Sequence, residues 1–334
     1  MKEEENNKLR VLFFISAVGS IACVLALIVL QSLKSAIDIP ISHLDGAFQT
    51  ASGLFRLESG QAPGRNFFPY LGVGPLLLIF PFFKIAGGVL SASVFAAKFA
   101  TLALGWIAIS VLWLFIFRPK TAILSFVGGA AVYVVFLVTD FLATRLNFTN
   151  PFSFGFDPGN SLRPIRAAIP YIVAFASYVL IRRVKNGLKR NIWAGIFIGS
   201  SLLWSNDFAI PTAGFFLIFY FLLFYSKDNS TWKKNAITLC FATAISFALL
   251  LSLITFGHPF ELIKYNLKDV ATDQWWYFGP YGPSTRIFGI GQIFRLISKE
   301  NIFPLVVLLV ASISAIKTKK IEYALGCVYT SFWL

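Results

Sequence analysis

Two aspartates stand in polar segments next to long apolar runs, where a carboxylate can act on a substrate. Asp45 lies in the sequence HLDGAFQ, shortly after the first apolar run, and Asp157 lies in FDPGN. Partial desolvation at the mouth of a helix bundle raises the pKa of a carboxyl group towards the working pH, which suits a general base. The alternative for both residues is ordinary turn formation, since Asp before Gly or Pro-Gly is typical of turns.

Several arginines follow or precede these segments. Arg163 and Arg166 come directly after Asp157, and Arg65 lies in PGRNFF. A planar guanidinium group binds phosphate oxygens with two hydrogen bonds and therefore suits a lipid-linked phosphate. Arginines beside a membrane also anchor to lipid headgroups, so both interpretations stay open.

A third polar group interrupts two apolar runs at Ser205-Asn206-Asp207. Ionisable side chains near membrane depth are functional by default, which makes Asp207 a candidate for a cavity. The last polar segment contains Trp275 and Trp276, whose faces can stack on sugar rings or lie at the bilayer interface. His43 lies two residues before Asp45, and His258, Asp269 and Asp273 are weaker candidates.

The elements that position these residues are membrane helices. Of the 334 residues, 57% are hydrophobic and 13% are charged, and the mean hydropathy is +0.73; soluble domains have about 25% charged residues. The net charge of +14 comes from short basic clusters between apolar runs, which act as orientation signals and argue against nucleic-acid binding. The three cysteines form no CxxC pair, so disulfides and a zinc site are not expected.

The hydropathy pattern predicts an all-α polytopic membrane protein with a single transmembrane domain over 1–334. We expect spans at about 11–32, 94–117, 121–141, 166–181, 192–206, 208–226, 235–256 and 302–316, and one from 321 to 334. The last run is cut off, which indicates that the native protein continues.

Residues 69–90 are apolar, but glycines and prolines interrupt them. If they do not cross, every short basic loop falls on the side of the N-terminus, as the positive-inside rule requires. We therefore expect an interfacial or re-entrant segment there and a cytoplasmic N-terminus. The polar loops 33–93, 142–165 and 257–301 then all lie on the outer face, and so does the break at Ser205-Asn206-Asp207.

The layout of residues 1–215 resembles the GT-C membrane glycosyltransferases, such as the protein O-mannosyltransferases and the aminoarabinose transferases of lipid A. The resemblance rests on an acidic residue after the first helix, the patch PYLGVGPLLLIF, a following span that ends at Arg118, and the acidic turn FDPG. It implies a GT-C-like helix bundle with interfacial helices in the first outer loop.

The resemblance also implies a reaction and a role in it for several residues. Asp45 would be the catalytic base that activates an acceptor, and the donor would be a sugar linked to a polyprenyl phosphate. Asp157 would help to hold the acceptor or a divalent cation. At Asp207 the family has a basic residue, and Ser-Asn-Asp favours a metal or a sugar hydroxyl instead. The resemblance implies no definite cofactor, and a divalent cation at Asp157 or Asp207 stays open.

The predicted function is the transfer of a sugar, with inversion, to a glycan, lipid or protein acceptor on the outer face of a plasma membrane. We expect this membrane to be bacterial. His43, Arg65, Asp157, Arg163, Arg166, Asp207, Trp275 and Trp276 are the expected substrate-binding residues. A transporter or flippase of lipid-linked sugars is the main alternative, but the chain shows no internal repeat and its polar residues are concentrated on the outer side. An O-antigen-type polymerase is a further alternative.

Overall fold

The computed structural model describes residues 2–39, 44–70, 72–117, 122–146, 157–159, 161–205, 207–227 and 231–270. Within these ranges the chain is all-helical and contains no β-strand. The helices are α1 (Lys2–Ile37), α2 (Leu44–Glu58), α3 (Val73–Ile85), α4 (Leu90–Phe117), α5 (Ala122–Leu146), α6 (Arg163–Arg166), α7 (Ile169–Arg183), α8 (Gly187–Ser201), α9 (Ala209–Lys227), α10 (Trp232–Ile254) and α11 (Pro259–Lys264). One π-helical turn, Tyr265–Asp269, follows α11.

The chain has four helical stretches that are long and apolar enough to cross a membrane, as expected of a membrane protein. They are Phe14–Ile37, Leu90–Leu114, Arg163–Arg183 and Trp232–Ile254. Shorter apolar helices cover Ile123–Thr139 and Ala209–Phe224. A helix therefore covers most of each predicted span up to 256, and the spans predicted at 302–316 and from 321 lie outside the described residues.

Residues 69–90 do not form one long helix. Their helical part, α3, has 13 residues and contains Pro81. Gly72 precedes it with a φ of 96°, and Gly87 follows it with a φ of 102°, values that side chains other than glycine rarely adopt. A helix of this length is about 20 Å long, which is less than the hydrocarbon core of about 30 Å.

The chain forms two compact units, and the first comprises residues 1–55 and 75–168. Its long helices α1, α4 and α5 pack together through an apolar core that includes Val24, Leu102 and Leu137. Helices α4 and α5 run antiparallel and approach closely where α5 has glycine. A Cβ atom at Gly129 would lie 2.7 Å from the Cα of Ser110, so only glycine permits this approach.

The second unit comprises residues 56–74 and 169–334. Helices α7 to α10 surround a core of fully buried side chains that includes Ile198, Phe216 and Leu239. Helices α8 and α10 are parallel and make the closest contact. At Gly195 of α8, a Cβ atom would lie 2.5 Å from the Cβ of Ala242, which is the close packing that small residues permit between membrane helices.

Candidate functional site

The second unit has one end at which three connecting segments meet. We call it the loop end. It contains residues 56–74 between α2 and α3, residues 202–208 between α8 and α9, and residues 255–269 after α10. Sequence analysis predicts all three segments to lie on the outer face, and in the second unit they are brought together.

The first contact at the loop end joins the start of α3 to the end of α8. The amide N–H of Gly74 donates to the carbonyl oxygens of Trp204, at 3.0 Å, and Leu203, at 3.2 Å. A Cβ atom at Gly72 would lie 2.6 Å from the Cα of Ser205. The two backbones therefore touch directly, and the missing side chains of Gly72 and Gly74 make the contact possible.

The second contact joins residues 62–68 to the segment after α10. Gly64 has a φ of 80°, and a Cβ atom there would lie 3.0 Å from the Cβ of Leu262 and 3.3 Å from the carbonyl oxygen of His258. The rings of Phe68 and Tyr265 have centroids 4.9 Å apart. Segment 56–74 is thus fixed at two points, one on each of the other two segments.

Two of the predicted site residues lie beside this second contact. Arg65 is exposed next to Gly64, and His258 is half-exposed with its Nδ1 atom 3.9 Å from Oε1 of Glu261. Arg56 is a further cation at this end that sequence analysis missed. Its guanidinium group lies 5.9 Å from the ring centre of Phe67 and donates to Oε1 of Gln61 at 3.1 Å. Arg56 and Arg65 are therefore both exposed on segment 56–74.

Asp207 also lies at the loop end, where it helps to begin α9. Its Oδ1 atom accepts from the amide N–H of Phe208 at 3.1 Å, and the Oγ atom of buried Ser205 lies 3.3 Å from the same nitrogen. This is the arrangement of a helix start. Asp207 is nevertheless exposed, so its carboxylate remains accessible to a ligand from water. Asp269 is exposed in the π-helical turn.

In the first unit, Asp45 is the second residue of α2. The helix is held against α3, because Gly53 leaves room for the side chain of Leu76 and the rings of Phe55 and Phe83 meet edge to face at 5.5 Å. Ala51 and Leu54 are buried on the same face. Asp45 therefore belongs to a helix with a fixed position within its unit, while His43 lies outside the described residues.

The other predicted residues of the first unit lie before α7. Oδ1 of Asp157 accepts from the amide N–H of Gly159 at 3.1 Å, which is the Asx turn of the alternative interpretation. Arg163 is exposed at the start of α6, which packs against α4. Arg166 is half-buried, and its Nη2 atom donates to Oγ of Ser161 at 3.1 Å.

A metal site was an open possibility at Asp157 or Asp207. Among the described residues, no group of three His, Cys, Asp or Glu side chains is arranged to hold a metal ion. Trp275, Trp276 and Asp273 lie outside the described residues. The glycines of the loop end were recognised in the sequence only as helix breakers, although their density around a short apolar helix is a signal for close backbone contact.

No family model matches the chain, and neither a curated protein nor a solved structure matches it significantly. The site is therefore interpreted from its own residues.

Proposed function

We propose that the chain is an integral membrane glycosyltransferase with a GT-C-like architecture, which transfers a sugar from a polyprenyl-phosphate donor to an acceptor on the outer face. The observation that carries the proposal is the pair of short helices α2 and α3, which lies between the long helices α1 and α4 and has Asp45 in the first turn of α2.

Asp45 is the best candidate for a general base because of the element that holds it. A residue on a packed helix keeps its position better than a residue on a free loop, and α2 contacts α3 at Gly53 and Phe55. The carboxyl group of a general base works in its ionised form. Only the ionised form can accept a proton from the acceptor.

The reaction follows from these roles. The Asp45 carboxylate takes the proton of an acceptor hydroxyl or amine, and the acceptor atom attacks the anomeric carbon of the sugar. The bond from this carbon to the phosphate oxygen breaks, and the polyprenyl phosphate leaves with the electron pair. Attack opposite the leaving group inverts the configuration at the anomeric carbon. Most of the rate enhancement comes from positioning the reactants, together with the base.

Exposed guanidinium groups suit the leaving phosphate. In the first unit, which also contains Asp45, Arg163 supplies one. Charge-assisted hydrogen bonds to the phosphate oxygens stabilise the negative charge that develops as the bond to the sugar breaks. A lipid donor enters sideways from the bilayer, while a polar acceptor arrives from water. A divalent cation near Asp157 or Asp207 remains compatible with this scheme.

The orientation of the protein follows from its charges. The end of the second unit opposite the loop end carries Arg182, Arg183, Lys185, Lys189, Lys233 and Lys234, all exposed. The positive-inside rule assigns such an end to the cytoplasm of a bacterial plasma membrane, which assigns the loop end to the outer face.

The test replaces Asp45 with Asn in purified protein reconstituted into liposomes. Short polyprenyl-phosphate sugars serve as donors, a membrane extract serves as the source of acceptor, and released polyprenyl phosphate is measured. We expect the release rate to fall by roughly 10²- to 10⁴-fold, the usual contribution of a general base. Donor binding, measured by retention of the labelled donor, should stay unchanged.

Asp38→Asn is the matched control, because Asp38 is an exposed acidic residue at the end of α1 that we do not place in the site. It should keep the wild-type rate. If Asp45→Asn also keeps that rate, Asp45 is not the base and the proposed function loses its main support.

A further inference from the structure

The end of the second unit opposite the loop end carries a concentration of cations. We call it the basic end. It comprises the last turn of α7, the connection to α8, and the first turns of α8 and α10. Its cations are Arg182, Arg183, Lys185, Lys189, Arg190, Lys233 and Lys234, and no acidic residue is present among the described residues of this end.

Two parallel helices begin side by side at the basic end. Nδ2 of Asn191 in α8 donates to Oδ1 of Asn235 in α10 at 2.9 Å, and farther along the pair Oγ of Ser246 lies 3.3 Å from the carbonyl oxygen of Gly195. The N-terminus of α8 is fixed by Asn186, whose Oδ1 atom accepts from the amide N–H of Lys189 at 3.0 Å. The positive ends of two helix dipoles are therefore close together.

The cations in the first turns add to this positive potential. Lys189 and Arg190 lie in the first turn of α8, and Lys233 and Lys234 lie in the first turn of α10. Acidic residues stabilise such positions and basic residues destabilise them. The positive-inside rule is satisfied by lysines anywhere in the connecting loops, so it does not explain cations on the helix starts themselves. A bound anion would offset the unfavourable charge.

Arg190 adds a half-exposed guanidinium group to the lysines of the two helix starts. A planar guanidinium group with several N–H donors is well suited to phosphate oxygens.

Apolar surface adjoins the cations and indicates the source of the phosphate. One helix turn farther along α8, Ile192 and Trp193 are exposed, with 50% of Trp193 accessible. On α10, Ile237 and Phe241 are 56% and 64% exposed and continue from Lys233 and Lys234 along the helix. A soluble anion uses only the cations, whereas a phospholipid places its headgroup at the cations and its acyl chains along these side chains.

We propose that the basic end binds the phosphate group of an anionic phospholipid, with Lys189, Arg190, Lys233 and Lys234 around the headgroup. Basic pockets between transmembrane helices bind such headgroups in this way. The proposal does not depend on the glycosyltransferase proposal, because it concerns the opposite end of the unit and is tested without any reaction.

The test uses the purified full chain in neutral detergent micelles. The double variant Lys189→Gln/Lys233→Gln removes one exposed cation from each helix start. Lys264→Gln/Lys268→Gln is the matched control, because it removes two exposed lysines from the loop end of the same unit. The probes are phosphatidylglycerol, phosphatidylcholine and inorganic phosphate, each added at equal concentration, and the readouts are the Tm and the lipid occupancy by native mass spectrometry.

We expect phosphatidylglycerol to raise the Tm of the wild-type chain more than phosphatidylcholine does. The affinity of the basic-end variant for phosphatidylglycerol should be lower than that of the wild-type chain by a factor on the order of ten. Without added lipid, the basic-end variant should have a higher Tm than the wild-type chain, because the cations oppose the helix dipoles. The control should bind phosphatidylglycerol as the wild-type chain does.

Two results would overturn the proposal. Equal phosphatidylglycerol binding by the wild-type chain and the basic-end variant would show that these cations serve only as orientation signals. A Tm shift with inorganic phosphate as large as that with phosphatidylglycerol would show that the occupant is a soluble anion and not a lipid.

Discussion

The two ends of the second unit are built in different ways. At the loop end, backbones touch where Gly72 and Gly74 meet Trp204 and Ser205, and the contact leaves no room for a side chain at either glycine. At the basic end, most charged side chains are exposed, and the described cross-helix hydrogen bond is the one between Asn191 and Asn235. The loop end is therefore defined by close backbone contact, and the basic end is defined by exposed positive charge.

The difference indicates what each end is suited to do. Close backbone contact fixes the course of the chain next to Arg65 and His258, and a well-defined backbone is what a precise binding site requires. Exposed charge acts over several ångströms and tolerates movement, which is enough for orientation and for binding headgroups. Substitutions should therefore have large effects at the loop end and small effects at the basic end.

The largest effect is expected for Gly72→Ala. The new Cβ atom would lie 2.6 Å from backbone atoms of Trp204 and Ser205, and the residue would keep a φ of 96°. The strain in φ and the overpacking together should cost roughly 2–5 kcal/mol of stability. The measurement is the Tm and the unfolding midpoint in detergent.

Gly60→Ala separates the strain in φ from the overpacking. Gly60 has a φ of 73°, but no atom lies within 4 Å of its Cβ position. It should cost only the strain in φ, roughly 1–2 kcal/mol. Equal losses for the two variants would mean that the backbone contact at the loop end contributes nothing.

A smaller loss is expected for Gly199→Ala in the last turn of α8. Its Cβ atom would collide with Oγ of Ser246 and the carbonyl oxygen of Thr243. Moving α10 away should cost roughly 1–3 kcal/mol. Gly214→Ala in α9 is the control, because nothing lies within 4 Å of its Cβ position. It should raise stability by up to about 1 kcal/mol, and a loss there would contradict the helix packing described for this unit.

The smallest effect is expected at the basic end. A double-mutant cycle with Asn191→Ala and Asn235→Ala should give a coupling energy of about 0.6 kcal/mol, the average for hydrogen bonds between membrane helices. The cycle is measured by unfolding in detergent. A coupling as large as the loss at Gly72 would remove the contrast between the two ends.

Much of the helical architecture can be predicted from the sequence. Long apolar runs between basic clusters locate α1, α4, α7 and α10, since length and hydropathy suffice to identify a membrane helix. Gly72, Pro81 and Gly87 also indicate that residues 69–90 do not form one long helix. These are local properties, and local patterns determine them.

The assembly of the loop end could not be predicted in the same way. The contact of Gly74 with Trp204 joins residues far apart in sequence, and a single sequence contains no signal for such a pair. From the sequence, Asp157 is a candidate both for an ordinary turn and for a binding site, and its hydrogen bond from the amide N–H of Gly159 satisfies the turn geometry. The roles of Asp45 and Asp207 stay predictions, because residue type alone does not determine chemistry.

The central claim is that the two ends of the second unit lie on opposite sides of a membrane. Cys23, Cys240 and Cys327 are first replaced with Ala, and single cysteines are then introduced as Ser59→Cys at the loop end and Asn186→Cys at the basic end. We expect a membrane-impermeant maleimide to label the first variant in intact cells and the second only after permeabilisation. Labelling of both variants from the same side would contradict the claim.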